Sequence, residues 1–473
     1  MFRIFLAVLG AVLILFPAGA AGYSDKSCFV DGFETPVRCI SLQVPLDYAR
    51  PDVEKVTISA VVVSASTAKP AGAPLLVLAG GPGQAATGMG PWLNSAFKPA
   101  RRTRDIVLFD IRGTGLSGAL SCDFSLTATA DAVTQMKRDA LECAGKVGAK
   151  GAFFSSREIV EDIERFRRAM GYSKINLWGG SFGTRLAQHY LRAYGPHVGA
   201  VVLDASTPVT ESIFIGAPVD GDRALQRVFD ACSADTACRT VFPALRANFD
   251  DLLKRADKSP LVARETNPRS GLVEPMVLDH DGVSGLVRGA LYAGFTRALV
   301  PYAISEGEKG NLKPLLALGA ATSEWSVETM ALGSMLSVIC AEDLVRAKKT
   351  EPSKLSFGFM RDSYFRYFSA ACSAWPHQAL PAPMFEAIST SVPAMVISGE
   401  NDPVTPPSSG EETLKQFSRG VHVVIPGGFH TNSSSVCVAG LIAEFLNDPS
   451  VGGRDHACVK RSPKPRFLTT PNI

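Results

Sequence analysis

Short apolar runs alternate with amphipathic segments along residues 21–207 of this chain. The runs APLLVLAGGPG and RDIVLFDIRGTG each end in glycines, a pattern typical of strands that are buried on both faces of a sheet. In SREIVEDIERFRRAMG, apolar Ile159, Ile163 and Phe166 recur at helical spacing. Alternation of buried strands with amphipathic helices predicts an α/β fold with a mostly parallel sheet and helices on both faces.

The pattern changes in the middle of the chain and then returns. Residues 208–383 are mainly helix-like and contain no buried strand runs, whereas VPAMVISGE and GVHVVIPGGFH indicate strands again. Near the start, VRCISLQVPLDYARPDVEKVTISAVVVSAS alternates as edge strands do. We therefore expect a sheet domain in two parts, residues 21–207 and 384–473, with a mainly helical lid inserted before the last strands.

The first 20 residues have the pattern of a secretory signal peptide. A single Arg3 precedes an apolar run that ends at Phe16, and small residues follow up to Ala20, near which we expect cleavage. The run is shorter than the roughly 20 residues that a spanning helix needs, and an uncleaved anchor is the less favoured alternative. After cleavage, no stable membrane insertion is expected.

Ten cysteines also favour an exported protein, either periplasmic or secreted. Pairing them in chain order would close five short loops, although spacing alone does not fix the connectivity. No C-x-x-C pair or suitable histidine spacing indicates a metal site, and we expect neither a metal nor an organic cofactor. A net charge of +3 over 473 residues, without a basic stripe, does not favour nucleic acid as a partner.

The segment INLWGGSFGTRLA contains a G-x-S-x-G motif centred on Ser181. A strand-type run precedes the motif and a helix-type segment follows it, which is the context that a nucleophile elbow requires. Flanking Gly179 and Gly183 would permit the strained turn and the close packing of strand and helix. We therefore predict that Ser181 is a nucleophile at the carboxyl end of the strands, where open α/β sheets bind ligands.

A serine hydroxyl needs a base that takes its proton, and the base needs an acid that orients it. Asp402 and His430 follow the last two predicted strands, in the chain order that this kind of sheet requires. Asp402 could instead be a turn former before proline, with Glu400 as the rival acid, and His430 could be an ordinary loop histidine. Their joint placement favours a catalytic triad of Ser181, Asp402 and His430.

A tetrahedral intermediate also needs backbone donors for its oxyanion. The N–H of Phe182, directly after the nucleophile, is one candidate. The other should come from the loop LAGGPG, where Pro82 has no N–H and Gly81 is favoured over Gly83. A plain Gly/Pro turn is the alternative for this loop.

Six segments in this order, VPLDYARP, LAGGPG, DIRGTGLS, INLWGGSFGTRLA, GENDPVTP and GGFH, resemble the proline iminopeptidase and tripeptidyl aminopeptidase family of α/β-hydrolases. The resemblance covers most of the chain outside the lid. It implies an α/β-hydrolase fold and removal of an N-terminal proline or short peptide from unblocked peptides. Ala79 stands where many proline-specific members carry histidine, which disfavours strict proline specificity and favours the exported, tripeptidyl-like branch. Phe182 replaces a frequent tyrosine.

Two further acidic positions have specific predictions. In the resembling family, acidic residues near the lid hold the substrate ammonium, and Glu342, beside Cys340, is the candidate here; a surface ion pair with Arg346 or Lys348 is the alternative. In DIRGTGLS, Asp110 and Arg112 are predicted to form a structural ion pair next to the oxyanion loop.

The leading functional hypothesis is therefore an exported serine aminopeptidase that acts on peptides through an acyl-enzyme. A carboxylesterase or other ester or amide hydrolase with the same triad is the first alternative. A catalytically silent exported binding protein is the second. Fold alone does not separate these functions.

Overall fold

The structure is a computed structural model that describes residues 22–70, 72–122, 132–266, 271, 273–327, 330–350, 355–450, 457–461 and 466–470. The predicted signal peptide, residues 1–20, lies outside these residues.

Nine strands form one central sheet in the order β1-β2-β3-β5-β4-β6-β7-β10-β11, and β8 and β9 form a separate hairpin. Strands β1, β2 and β3 pair antiparallel and β3 pairs antiparallel with β5, whereas all the other neighbours in the sheet are parallel. The mostly parallel sheet with an antiparallel edge is the predicted one. In chain order the strands are β1 (Tyr23–Cys28), β2 (Val37–Pro45), β3 (Lys55–Val63), β4 (Leu75–Leu78), β5 (Ile106–Asp110), β6 (Ile175–Gly180), β7 (Val198–Asp204), β8 (Leu261–Thr266), β9 (Val273–Leu278), β10 (Ala394–Gly399) and β11 (Gly420–Ile425).

Helices cover both faces of the sheet and fill the segment between β7 and β10. They are α1 (Gly90–Phe97), α2 (Ala132–Val147), α3 (Ser156–Ala169), α4 (Phe182–Tyr194), α5 (Ile213–Ala234), α6 (Thr236–Val241), α7 (Leu245–Lys258), α8 (His280–Ala290), α9 (Gly294–Glu308), α10 (Lys313–Val327), α11 (Leu332–Ala347), α12 (Ser363–Cys372), α13 (Pro407–Leu414) and α14 (Val436–Asn447).

Two apolar layers, one on each face, hold the sheet between its helices. Alternate residues of a strand enter opposite layers: in β4, Leu76 and Leu78 pack with α3 and α4, whereas Leu75 and Val77 pack with α1 and α14. The strands are buried on both sides, which explains why they are continuous apolar runs in the sequence.

Helices α5 to α12 form a helical insertion between β7 and β10. It has one apolar cluster largely of its own and shares a second with α2. The hairpin β8–β9 within it was not predicted. Its side chains include Val262 and Val273, which are 66% and 59% exposed. A strand that buries so little has no continuous apolar run, so no pattern in these residues indicated a strand.

Five disulfides confirm the pairing in chain order. One of them joins α11 to α12 within the helical insertion, through Cys340 and Cys372. The helices in the described part of the chain are all too short or too polar to cross a bilayer. The five bonds are Cys28–Cys39, Cys122–Cys143, Cys232–Cys238, Cys340–Cys372 and Cys437–Cys458.

Candidate active site

Ser181 lies on the sharp turn between β6 and α4 with φ 53° and ψ −122°, a backbone conformation that is unfavourable for a non-glycine residue. The flanking glycines are required by close packing. A Cβ at Gly183 would lie 2.1 Å from the carbonyl oxygen of Leu78, and one at Gly179 would lie 2.4 Å from that of Gly183. The strained turn is the geometry of a nucleophile elbow, and it leaves Ser181 partly exposed.

The loop after β4 lies directly against this turn. A Cβ at Gly80 would come within 3.1 Å of Ser181 Cβ. The N–H groups of Gly81 and Phe182 donate no hydrogen bond to any residue that the structure describes. Gly83 instead faces the helical insertion, where its carbonyl accepts the N–H of Ala331 at 2.8 Å. Gly81 and Phe182 therefore have free donors next to Ser181, as an oxyanion site needs.

Asp402 and His430 lie in the loops after β10 and β11, and their side chains meet. His430 Nδ1 is 2.8 Å from Asp402 Oδ2. Thr405 Oγ1 donates to the same carboxylate oxygen at 2.8 Å and lies 3.3 Å from Nδ1. The backbone N–H groups of Val404 and Thr405 both donate to Oδ1 at 2.9 Å. The carboxylate is thus fixed by four contacts, and its orientation toward the imidazole is set.

Glu400, the rival acid, faces another way. Its Oε2 accepts the N–H of Gly427 at 2.8 Å and its Oε1 lies 3.7 Å from Arg227. Burial alone would raise the pKa of Asp402, but the charge of His430 and the hydrogen bonds to the carboxylate outweigh it and hold the pKa below its usual value. Asp402 therefore carries a negative charge where it can stabilise an imidazolium.

Asp204, at the end of β7, connects the serine and histidine loops and was not singled out in the sequence. Its backbone carbonyl accepts the N–H of Ser181 at 3.0 Å. Its buried carboxylate accepts the N–H groups of Asn432 and Ser433 at 2.8 Å each. The Ser433 hydroxyl in turn accepts the indole N–H of Trp178 at 3.0 Å. Asp204 thereby anchors the loop of His430 to the strand beside the nucleophile. Its position at the end of a buried strand was the feature of the sequence that could have identified it.

Ser181 Oγ donates no hydrogen bond to His430 within the described part of the structure. Such bonds are often long in a free enzyme and shorten when substrate binds. The side chain of His430 is 12% exposed, so its imidazole is open to the site.

Comparisons with known proteins agree with this geometry. Residues 73–241 match the family described as the alpha/beta hydrolase fold, and residues 359–458 match the family described as TAP-like protein. The first match contains Ser181, and the second contains Asp402 and His430.

The chain has the α/β-hydrolase fold.

The individual relatives include proteins named as peptidases and one named as an esterase. The chain is 28% identical over 243 residues to a tripeptidyl aminopeptidase of Streptomyces lividans, a match that covers 46% of this chain and 44% of the relative. This chain therefore matches less than half the length of that tripeptidyl aminopeptidase. It is 26% identical over 437 residues to the serine protease Hip1 of Mycobacterium tuberculosis, covering 83% and 81%. It is also 27% identical over 467 residues to carboxylesterase B of the same organism, covering 87% and 84%.

In this α/β-hydrolase, Glu342 is fully buried on α11. Its Oε1 accepts the N–H of Ser156, at the start of α3, at 2.9 Å. The surface ion pair considered for it is not formed, because Arg346 contacts the neighbouring Asp343 at 2.9 Å. Burial raises the pKa of Glu342 to about 7, against the opposing attraction of Arg185. This environment indicates a structural contact between the helical insertion and the sheet domain.

The Glu342→Gln variant is expected to become more stable relative to the wild type as the pH rises from 5 to 8. The folded state holds a proton on Glu342 up to about pH 7, whereas an unfolded glutamate loses it near 4.5, so wild-type stability falls between these values. The loss is at most about 3 kcal/mol, because one pKa unit corresponds to about 1.4 kcal/mol. The difference in Tm between the variant and the wild type, measured by thermal unfolding over this pH range, tests the prediction. Glu444→Gln, at an exposed position, is the control. A difference in Tm that does not change with pH would contradict it.

Asp110 and Arg112 do not pair with each other, so the predicted ion pair is wrong. Arg112 forms a buried bidentate pair with Asp162 of α3, with Nε–Oδ2 at 2.7 Å and Nη2–Oδ1 at 2.6 Å. Asp110 accepts the hydroxyl of Thr87 at 2.6 Å and the N–H of Leu116 at 2.8 Å. Both residues still support the loops beside the oxyanion site, but through partners distant in sequence.

Two acidic residues, Glu211 and Asp220, lie close together where the helical insertion begins. Asp220 on α5 is 5% exposed, and both Asp220 and Glu211 approach Gly216: a Cβ there would lie 2.3 Å from Glu211 Oε1 and 3.5 Å from Asp220 Oδ2. Burial raises the pKa of Asp220 to about 7, and the nearby charges of Glu211 and Asp402 add to the effect. Sequence analysis missed this pair because neither residue lies in a motif.

Proposed function

We propose that the protein is an exported serine aminopeptidase that releases an N-terminal proline or a short peptide from unblocked peptides. The observation that carries the proposal is the partly buried hydrogen bond between Asp402 and His430, at the same sheet edge as the strained Ser181. The similarity to a tripeptidyl aminopeptidase and to the Hip1 serine protease supports a peptide substrate.

In the proposed mechanism, His430 takes the proton of Ser181 while the serine oxygen attacks the scissile carbonyl carbon. Asp402 keeps the imidazole in the required tautomer and stabilises the imidazolium. The N–H groups of Gly81 and Phe182 stabilise the oxyanion. His430 then protonates the leaving amine, and a water molecule, deprotonated by His430, hydrolyses the acyl-enzyme. No step requires a cofactor.

Asp220 and Glu211 are the proposed binding site for the substrate α-ammonium. Burial and the charge of Glu211 raise the pKa of Asp220, and a cation bound beside Asp220 would relieve that repulsion. The exposed Arg223, whose Nη1 lies 3.3 Å from Asp220 Oδ1, offsets only part of it. Glu342, the earlier candidate, is a poorer choice because it is fully buried and already accepts a backbone N–H. This acidic pair favours an aminopeptidase over the carboxylesterase alternative, which rests on the similarity to carboxylesterase B.

The test compares three substrates: an unblocked tripeptidyl anilide, its N-acetylated form and a small acyl ester. We expect kcat/KM on the unblocked peptide to exceed that on the acetylated one by at least roughly 10-fold, since a charge-assisted contact contributes about 1.5–3 kcal/mol. Mass spectrometry of products from a peptide library then gives the number of residues released. Hydrolysis of the ester alone would support the esterase, and failure of a fluorophosphonate to label Ser181 would support a non-catalytic binding protein.

The Asp220→Asn variant is expected to raise KM for the unblocked peptide by roughly 10- to 100-fold, because it removes one charge-assisted contact to the ammonium. Its kcat/KM on the acyl ester, which has no ammonium, should stay within about twofold. Asp230→Asn, on the exposed face of the same helix, is the matched control. An equal loss on peptide and ester would assign Asp220 to the structure of the insertion instead.

Export is part of the proposal. Five disulfides support an oxidising compartment, periplasmic or extracellular. Detection of the mature N-terminus near Ala20 in an extracytoplasmic fraction would test it.

A further inference from the structure

The turn between α8 and α9 of the helical insertion packs directly on the loop of His430. The carbonyl oxygen of Tyr292 accepts the backbone N–H of His430 at 3.3 Å. The phenol ring meets the imidazole edge to face, with centroids 5.2 Å apart and an interplanar angle of 76°. Two residues later, a Cβ at Gly294 would lie 2.9 Å from the ring of Phe429, so the two backbones approach closely.

This turn is held firmly within the insertion. The hydroxyl of Thr296 donates to the carbonyl oxygens of Ala290 and Ala293, at 2.8 Å and 3.1 Å. Leu291, next to Tyr292, is fully buried. The position of Tyr292 is therefore set by the insertion and not by the loop on which it rests.

Arg288 holds the other end of the tyrosine. Its guanidinium donates from Nη1 to the hydroxyls of Tyr292 and Tyr364, at 3.2 Å and 2.9 Å, and lies 5.4 Å and 4.8 Å from the two ring centroids. Arg288 is 5% exposed, and it has no ion pair with a carboxylate among the side chains that the structure describes. The buried cation is stabilised by the faces of the two aromatic rings. Its own hydrogen bond to the Tyr292 hydroxyl holds the ring of Tyr292 in place.

Among the described residues, the hydrogen bonds of the His430 imidazole hold only one of its two nitrogens. On the side of the sheet domain, Asp402 and Thr405 contact only Nδ1 of His430. These contacts leave the ring free to pivot about Nδ1, and Nε2 must point at Ser181 for proton transfer. The ring of Tyr292 lies against the imidazole from the insertion, where it can limit that pivot.

We propose that Tyr292, oriented by Arg288, is a positioning residue that keeps Nε2 of His430 directed at Ser181. The inference rests on the proposed serine mechanism, but not on the choice between peptide and ester substrates. It makes the helical insertion part of the catalytic geometry as well as a wall of the substrate site.

The experiment compares Tyr292→Leu, Tyr292→Phe and the control Tyr364→Phe. Tyr364→Phe removes a hydrogen bond from the same arginine without touching His430. We expect Tyr292→Leu to lower kcat by roughly 10- to 100-fold with KM within about twofold, since an oriented base contributes about 10²- to 10⁴-fold. The rate of fluorophosphonate labelling at Ser181 should fall by the same factor. Tyr292→Phe, which keeps the ring but loses its hydrogen bond from Arg288, should be only several-fold slower than the wild type, and Tyr364→Phe should match the wild type.

Three outcomes would overturn the inference. A raised KM with unchanged kcat would make Tyr292 a substrate contact, wild-type rates in both Tyr292 variants would remove the role, and an equal loss in Tyr364→Phe would assign the effect to packing of the insertion. If Tyr292→Leu does not fold, the comparison of Tyr292→Phe with Tyr364→Phe still tests the inference. Fluorophosphonate labelling of Ser181 is then expected to be several-fold slower than in the wild type only for Tyr292→Phe. A wild type that is labelled at Ser181 but hydrolyses only esters would refute the aminopeptidase proposal and leave this comparison intact.

Discussion

The Ser181→Ala variant is expected to lose roughly 10⁴- to 10⁶-fold in kcat, because no other side chain can supply the attacking oxygen. The fold should be unchanged, since alanine keeps the same Cβ at the strained φ of 53°. Activity on the unblocked peptide, together with the unfolding temperature, measures both effects. Labelling by a fluorophosphonate should disappear.

The exposed Ser373→Ala is the control for Ser181 and should match the wild type. Ser181→Gly should be equally inactive but more stable by about 1 kcal/mol or more, because glycine adopts a positive φ without strain. Residual turnover of Ser181→Ala above about one hundredth of the wild type would show that another residue is the nucleophile.

Asp402→Asn is expected to lower kcat by roughly 10⁴-fold. The amide can keep an oxygen toward the N–H groups of Val404 and Thr405, but its NH₂ group would then face Nδ1 of His430 and favour the wrong tautomer. The pKa of Asp402 lies below its usual 3.8, so its ionised form stabilises the folded protein above that pH and the variant should also be less stable at neutral pH. Measurements of kcat and of the unfolding temperature at pH 7 test both expectations.

Glu400→Gln is the control for the acid, because Glu400 also follows β10 but contacts Gly427 and Arg227. It should retain kcat within about threefold, the loss expected when a minor contact of about 0.5 kcal/mol is removed. A larger loss than in Asp402→Asn would transfer the role of the acid to Glu400.

Most strands of the central sheet and the meeting of Asp402 with His430 could be predicted because each depends on a local pattern. A run buried on both faces is apolar throughout, and the residues after successive parallel strands meet at one sheet edge. Chain order was therefore enough to predict that Asp402 and His430 would meet. Pairing of neighbouring cysteines succeeded for a similar reason, since each bond closes a short loop.

The other contacts could not be predicted, because each depends on which distant segments meet. Arg112 is two residues from Asp110 in the sequence, yet it pairs with Asp162, 50 positions away. Glu342 is a charged residue in a largely apolar helix, and only the tertiary packing of α11 shows that it is completely buried. Tyr292 meets His430 only through the packing of helices, and helical periodicity does not determine that packing.

The buried ion pair between Arg185 and Asp343 limits how this enzyme could be re-engineered. Arg185 is one turn beyond Ser181 on α4, it is 1% exposed, and its Nη1 contacts Asp343 Oδ2 on α11 at 2.8 Å. Exchanging residues 208–383 for the corresponding segment of another hydrolase would strand this guanidinium without a counter-charge, at a cost of roughly 3–5 kcal/mol next to the nucleophile. A working chimera would need either a donor segment that brings its own carboxylate to this point or an apolar residue in place of Arg185.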